Sequence, residues 1–264
     1  MYMNMLQNKK ILIFGISSKL SIAYGIAKAM HFHGAKLAFT YQNEKLKNRV
    51  IKYASEFDSN KVFFCDVQDD YSLSKLFDDL SVVWDKFDGF VHSIAFAPRD
   101  QLSGDYIDVI NRKGFEVSHD VSSYSFVNLA KIFRSILKEG SSLLTLTYLG
   151  SQYVVPNYNV MGLAKASLEA NVKYMAYSLG KNNIRVNAIS AGPIKTLASS
   201  AIAGFKKMLV FFKNFNFLKR LISIDEIGNV AAFLCSDLSS GITGEVIHVD
   251  GGYNVNGIDS DVFI

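Results

Sequence analysis

Lys10-Ile11-Leu12-Ile13-Phe14-Gly15-Ile16-Ser17-Ser18-Lys19-Leu20-Ser21-Ile22-Ala23-Tyr24-Gly25 decides how this chain folds. Ile11 to Phe14 is a continuous apolar run rather than an alternating one, as expected of a strand buried on both faces. A tight turn at Gly15 and a serine-rich loop follow, then an amphipathic stretch from Ser21 to His33. A strand, a turn and a helix in that order present backbone amides and the positive end of a helix dipole to a pyrophosphate. The G-x-G-x-x-G spacing is not met, because the next glycine after Gly15 is Gly25. Taken alone, the segment is equally an ordinary strand-to-helix connection.

Outward from it, β-rich runs alternate with amphipathic ones along nearly the whole chain, the pattern of a parallel sheet covered by helices on both faces. Strands are expected at Lys10 to Phe14, Lys36 to Tyr41, Lys61 to Cys65, Phe87 to Ser93, Ser142 to Tyr148, Ile184 to Ser190 and Glu245 to Val249. Helices are expected at Ser21 to His33, Asn43 to Phe57, Tyr71 to Trp84, Asp105 to Leu137, Asn157 to Leu179 and Asp225 to Cys235. With three prolines, no Gly/Ser-rich linker and no internal repeat, one domain over residues 1–264 suffices. The Phe- and Lys-rich segment Thr196 to Leu221 fits the alternation poorly and is read as an inserted lid.

Composition bounds the rest. The 264 residues are 49% hydrophobic and 20% charged, which fits a large buried core and excludes a disordered chain. A net charge of +4 is too small for a nucleic-acid binder driven by phosphate neutralisation. Cys65 and Cys235 alone build neither a disulfide framework nor a four-thiolate zinc site, which suits a reducing, cytoplasmic location. Ile11 to Phe14 is far short of the roughly 18 residues a membrane span needs, so no membrane insertion is expected. His31 and His33 lie about 200° apart on a helix and cannot share an ion, so no metal is expected. His92 lacks the G-x-S-x-G elbow of a hydrolase, and Trp84 reads as a packing residue.

The chemistry lies toward the strand ends. Tyr158 and Lys165 are seven residues apart, about 700° at ~100° per residue, so on one helix both face the same way. An ammonium beside a phenol favours the phenolate and should lower the Tyr158 pKa from about 10. Tyr148 closes a strand at the end where ligands of open α/β sheets bind. Without context, a solvated lysine beside a packed tyrosine is the more common arrangement; here the pair follows a dinucleotide-type first half, with Pro156 starting its helix. At the second strand, Gln42 neither bonds ribose hydroxyls as a carboxylate does nor attracts a 2′-phosphate as an arginine does. Asp66 reads as a partner for an adenine amino group, beside apolar Val67, or as a helix N-cap.

Gly15 to Gly25, the stretch from His92-Ser93 to Pro98, and Tyr148 with Tyr158-x6-Lys165 resemble the single-domain bacterial enoyl-acyl carrier protein reductases, a divergent branch of the short-chain dehydrogenase/reductase family. Ordinary members of that family separate Tyr and Lys by three residues, not six. The resemblance runs through Val249-Asp250-Gly251-Gly252 and weakens in the lid and the last dozen residues. It implies a Rossmann-like, doubly wound α/β fold with a seven-stranded parallel sheet, a helical substrate lid over about 196–221, and a cytoplasmic homotetramer.

It also implies the activity: NADH-dependent reduction of the trans-2 double bond of enoyl-acyl carrier protein thioesters in the elongation cycle of type II fatty acid biosynthesis. By that similarity the catalytic residues are Tyr148, Tyr158 and Lys165. Cofactor contacts come from Gly15, Ser21, Ile22, Gln42, Asp66, Val67, Ser93, Ala95, Lys165 and Ile194, and substrate contacts from Ala97, Tyr148, Tyr158, Met161 and Phe205. Ala95 departs from the glycine usual in the family, and its methyl should narrow the nicotinamide pocket. Two other readings stand beside this one: a ketone or alcohol dehydrogenase of the same superfamily, against which the six-residue spacing argues, and a non-catalytic cofactor-binding regulator, against which the three intact residues argue.

The near-neutral total hides an asymmetry, because no carboxylate lies between Glu169 and Asp225 while the lid carries Lys206, Lys207, Lys213, Lys219 and Arg220. Phe205, Phe211, Phe212, Phe215 and Phe217 alternate with them, which suits an acyl wall with a basic rim for an acidic carrier protein, or an ordinary amphipathic helix on the core. Reversing Lys206 and Lys207 to Glu is expected to raise KM for carrier-linked substrate and to spare a coenzyme A thioester. Steady-state kinetics on the two substrates decide it, and equal effects would defeat the docking idea.

Overall fold

The computed structural model describes residues 4–196 and 204–257. Seven strands form one parallel sheet: β1 (Lys10–Phe14), β2 (Lys36–Tyr41), β3 (Val62–Phe64), β4 (Phe87–His92), β5 (Leu137–Thr147), β6 (Arg185–Ala191) and β7 (Val246–Val249). Their order is β3-β2-β1-β4-β5-β6-β7, the order of a doubly wound sheet whose direction of winding reverses beside β1. Ile13 pairs with Phe39 on one side and Val91 on the other, and Val91 pairs on to Leu144. The unbroken apolar runs therefore have a reason: successive residues of β1 enter two different cores.

Ile11 and Ile13 join α1 (Ile22–Phe32) and α9 (Ile224–Cys235) through Ile26, Met30, Ile227 and Ala231. Leu12 and Phe14 face α3 (Asp70–Val83), α6 (Ser125–Phe133) and α7 (Val160–Gly180), against Leu76, Phe126, Leu129 and Leu168. Trp84 follows α3 and stacks on Phe87 at 6.4 Å, a packing role. At the far end of α9, the buried Arg185 guanidinium donates to the carbonyls of Leu234 and Ser236 at 2.8 and 3.0 Å, occupying acceptors the helix end leaves unpaired.

Three expected elements differ. The single helix over Asp105 to Leu137 is instead α4 (Tyr106–Val109), α5 (Arg112–His119), a π-helical turn at Asp120–Tyr124, and α6. The first break falls at extended Asn111, whose side chain caps α5 by accepting from the Gly114 amide at 2.8 Å. Strand β5 begins at Leu137, earlier than expected, with Gly140 in a left-handed conformation inside it. Helix α7 begins only at Val160, because Asn157 and Asn159 take positive φ of 62° and 37°. Pro156 thus precedes a turn and not the helix itself. In the lid region, residues 197–203 lie outside the described residues, and α8 (Phe205–Phe215) follows Gly204.

Gly25 missed its place in a dinucleotide fingerprint, and the structure uses it elsewhere. A Cβ on Gly25 would stand 2.3 Å from the Ile224 carbonyl oxygen, and one on Gly228 would stand 2.3 Å from that of Gly25. Helices α1 and α9 therefore cross with backbone against backbone. Gly228→Ala is expected to force them apart at a cost of about 1–3 kcal/mol, lowering the melting temperature by several degrees. Thermal unfolding followed by circular dichroism measures this, and an unchanged midpoint would contradict the close crossing.

Candidate active site

A cleft of about 500 Å³ opens along the C-terminal ends of the strands, from the tips of β2 and β3 across β1 and β4 to the start of α7. Gly15 stands at its centre with φ of 90°, and a Cβ there would lie 2.0 Å from the Ser93 carbonyl oxygen. Only glycine lets the exit of β4 pass so close above the exit of β1. Ser21 caps α1, its hydroxyl accepting from the Tyr24 amide at 3.3 Å and donating to the Ser18 carbonyl at 2.6 Å. The first turn of α1 so faces the cleft, with Gly15, Ser21 and Ile22 lining it. Arg49 braces the loop from α2 (Glu44–Ser55) through a 3.2 Å bond to the Ser17 carbonyl.

At one end of the cleft, Gln42 and Val67 line the wall as expected, joined by Thr40 and Gln68. Asp66 is partly buried beside it, with its carboxylate accepting from the Gln68 amide at 3.2 Å. Asp66 is not the N-cap of α3, a place taken by Asp69. Cys65 is buried and its thiol pushed up to about 12 by desolvation, so it is inert lining. At the other end, Ser93 and Ala95 line the cleft with Phe96. Ser122, in the π-helical turn, donates to the Phe96 carbonyl at 3.1 Å and accepts from the Phe96 amide at 3.0 Å. This two-way clamp holds that wall in place, and a π-turn is a common mark of such a role.

Tyr148, Tyr158 and Lys165 come together at this second end. The two phenol rings meet edge to face, with centroids 5.1 Å apart. Lys165 is buried and its ammonium donates to the Leu146 carbonyl at 2.8 Å. The juxtaposition does not arise from one helix face: Tyr158 sits in the turn before α7, packed on Gly150, where a Cβ would approach the Tyr158 ring to 2.5 Å. Nor is the phenol acidified. Burial, with Tyr148 and Glu169 adding, raises the Tyr158 pKa well above the usual range, and burial raises that of Tyr148 as well. Burial also pulls Lys165 down to about 8, against the opposing pull of Glu169. A neutral phenol is the form that donates a hydrogen bond to a developing oxyanion.

The remaining expected residues do not line this cleft. Ala97 and Met161 pack together with Val160 and Ala164 in a small buried cluster. Ile194 packs on the core from the loop after β6, and Phe205 is buried in α8. The lid reaches the site through Met208, whose sulfur lies 4.0 Å from the Tyr148 hydroxyl, and through Phe212, whose ring centroid is 6.5 Å from that of Tyr148 and which stacks on Tyr253. Sequence reasoning missed Gly150, Ser122 and Glu169. Of these only Glu169 had a signal, standing four residues after Lys165 and so on the same helix face.

The dimensions suit a dinucleotide: an elongated cleft over a glycine turn, a helix N-terminus at its middle and a buried cation at one end. Among the described residues no group of His, Cys, Asp and Glu could hold a metal ion, and no helix is long and apolar enough to cross a membrane.

A family profile described as enoyl-(acyl carrier protein) reductase matches residues 15–254. The enoyl-[acyl-carrier-protein] reductase [NADH] of Escherichia coli (strain K12) is 60% identical over 253 residues, covering 96% of this chain and 97% of its own. The structure of the corresponding enzyme from Aquifex aeolicus VF5 superposes with a TM-score of 0.94 at 44% identity, covering 96% of this chain and 99% of that one. The reductase of Anaplasma phagocytophilum, solved in complex with NAD, gives 0.93 at 44% identity, covering 97% of each chain.

Beneath the site, His92 at the end of β4 bridges Thr145 Oγ1 at 3.0 Å and Ser125 Oγ at 2.8 Å. Desolvation, with Lys165 nearby, pulls its pKa from 6.5 down to about 3. His92 is therefore neutral when folded and protonated when unfolded below about pH 6.5, so acid favours unfolding by up to about 1.4 kcal/mol per pH unit. His92→Gln keeps one donor and one acceptor and is expected to flatten the fall in melting temperature between about pH 7 and pH 5. Parallel slopes for the two proteins would assign the acid sensitivity to other groups.

Proposed function

The chain belongs to the enoyl-(acyl carrier protein) reductase family, and on that premise we propose that it reduces the trans-2 double bond of enoyl-acyl carrier protein thioesters with NADH in the elongation cycle of fatty acid biosynthesis. The observation that carries this reading is the meeting of Tyr148, Tyr158 and Lys165 at one end of a dinucleotide-sized cleft. Bound NADH supplies the hydride that reaches the β-carbon of the enoyl thioester. Everything else falls to the chain's own residues.

Tyr158, kept neutral by burial, donates to the thioester carbonyl oxygen, where negative charge develops as the β-carbon is reduced. Lys165, a buried ammonium, holds the nicotinamide ribose hydroxyls and adds a positive field to the same oxygen. Tyr148, in contact with the lid through Met208 and Phe212, positions the acyl thioester beside Tyr158. Gly15, Ser21 and Ile22 hold the pyrophosphate, while Gln42, Asp66 and Val67 take the adenosine end. Ser93, Ala95 and Ile194 flank the nicotinamide. Ala97, Met161 and Phe205 back the acyl pocket, from positions that a bound chain would reach by parting their contacts.

The whole chain acts as one dinucleotide-binding and catalytic domain, with the lid at about 196–221 closing over the acyl chain. Lys206, Lys207 and Lys213 are exposed on α8, whereas Arg220 is held by Glu226 at 2.7 Å. The basic rim that meets the acidic carrier protein therefore centres on the three lysines. We place the enzyme in the cytoplasm and read it as a homotetramer, self-association being supported by the exposed Tyr174 and Tyr177 on α7.

Loss of NADH absorbance with crotonyl and longer enoyl thioesters, run beside NADPH and a ketoacyl thioester, tests the activity. Enoyl-dependent oxidation is expected, and its absence would sink the reading. Tyr158→Phe is expected to lower kcat about 10²-fold while leaving NADH affinity within about twofold, as befits a group that acts on the transition state.

A further inference from the structure

Glu169 is half-buried in α7, one turn beyond Lys165. Its carboxylate accepts from the Thr147 hydroxyl at 2.7 Å, from the Ser151 hydroxyl at 2.5 Å and from the Gln152 amide at 3.4 Å. Thr147 is the last residue of β5, and Ser151 lies in the short turn at Leu149–Ser151 that follows Tyr148. The carboxylate thus grips the backbone segment on both sides of Tyr148 and ties it to the helix that carries Lys165. The same turn contains Gly150, the floor on which the Tyr158 ring rests. One side chain joins the supports of all three residues.

The charged and titratable groups that face Lys165 are few. Tyr158 and Tyr148 are neutral phenols, His92 is a neutral imidazole on β4, and the Leu146 carbonyl accepts from the ammonium. Among these groups Glu169 is the charge that opposes the desolvation pulling Lys165 down to about 8. A pKa so close to neutrality leaves little margin, and each unit further down would cost a tenfold share of the charged form on the alkaline side.

We infer that Glu169 is a positioning residue of this site, whose carboxylate clamps the Tyr148 turn onto the Lys165 helix and sets a negative charge one helical turn from the Lys165 ammonium. The inference rests on the reductase reading of the site for its effect on turnover, and on the four-residue helical spacing of Glu169 and Lys165, with the opposing pull of Glu169 on the lysine, for its effect on the ammonium. It predicts different outcomes for two substitutions. Glu169→Gln keeps an oxygen that accepts from Thr147 and Ser151 but removes the charge. Its alkaline limb of kcat/KM is expected to move down by about one pH unit, and NADH affinity measured by calorimetry to weaken about five- to tenfold near pH 8. Both should return to within about twofold of the parent near pH 6. Glu169→Asp keeps the charge but draws it away from the turn, so kcat should fall about tenfold at every pH with the alkaline limb in place.

A Glu169→Gln protein with the parental alkaline limb, or with a loss equal at all pH, would overturn the inference, and so would a Glu169→Asp protein with full kcat. If Glu169→Gln does not fold, the Glu169→Asp profile decides. Because calorimetry reads NADH binding without turnover, a parent that binds NADH but reduces no enoyl thioester would fail the reductase reading and leave the Glu169 result legible.

Discussion

The Ser93 carbonyl passes over Gly15 so closely that no side chain fits beneath it, and this contact between the exits of β1 and β4 governs the rest of the molecule. It lies where the sheet reverses its direction of winding, so the connections leave in opposite senses and a crevice opens between them. The helix that follows Gly15 must then start at the crevice, which turns its unpaired amides toward whatever anion lies there. The Ser93 side of the same contact sends residues Ile94 to Phe96 along the crevice as a wall, held from behind by Ser122. A bulkier residue at position 15 would push β4 away from β1 and lose the loop, the wall and the sheet register together.

The chemistry follows from how little water reaches the other end of the crevice. Two phenols and an ammonium share a site that is apolar on most sides, and burial acts on each in the direction of its neutral form. For the tyrosines burial keeps the proton that a hydrogen-bond donor needs, whereas for Lys165 it works against the charge. The backbone carbonyl of Leu146 and the carboxylate of Glu169 offset part of that penalty. The site is a compromise in which desolvation strengthens every interaction while the half-buried carboxylate limits the damage.

Strand positions were legible because Ile11 to Phe14 of β1 is apolar without interruption and other β-rich runs alternate with amphipathic ones, as strands covered on both faces require. Helix limits were less so. Asn157 and Asn159 take positive φ, which asparagine tolerates better than most residues, and nothing in their identity distinguishes that from the first turn of a helix. The Tyr158 and Lys165 pair was identified by a spacing that looked helical, yet the two meet because a turn folds Tyr158 back over Gly150. The π-turn at Asp120–Tyr124 was invisible for a similar reason: its Ser122 and Ser123 bond to the Phe96 loop and to Ser167 of α7, partners remote in sequence.

The sequence by itself determined the parallel α/β architecture and the order of its elements, because periodicity and residue type are local properties, and its resemblance to a known family pointed to that family and to Tyr148, Tyr158 and Lys165 as candidate site residues. Only the tertiary structure decided the protonation state of those side chains, the packing role of Gly25 and Gly228 and the part played by Glu169. Each depends on distances between segments far apart in the chain and on how far burial excludes water. A lysine beside a tyrosine reads, in sequence, as a way to acidify the phenol. In the folded protein, desolvation, with Tyr148 and Glu169 adding to it, raises the pKa and leaves the phenol with its proton.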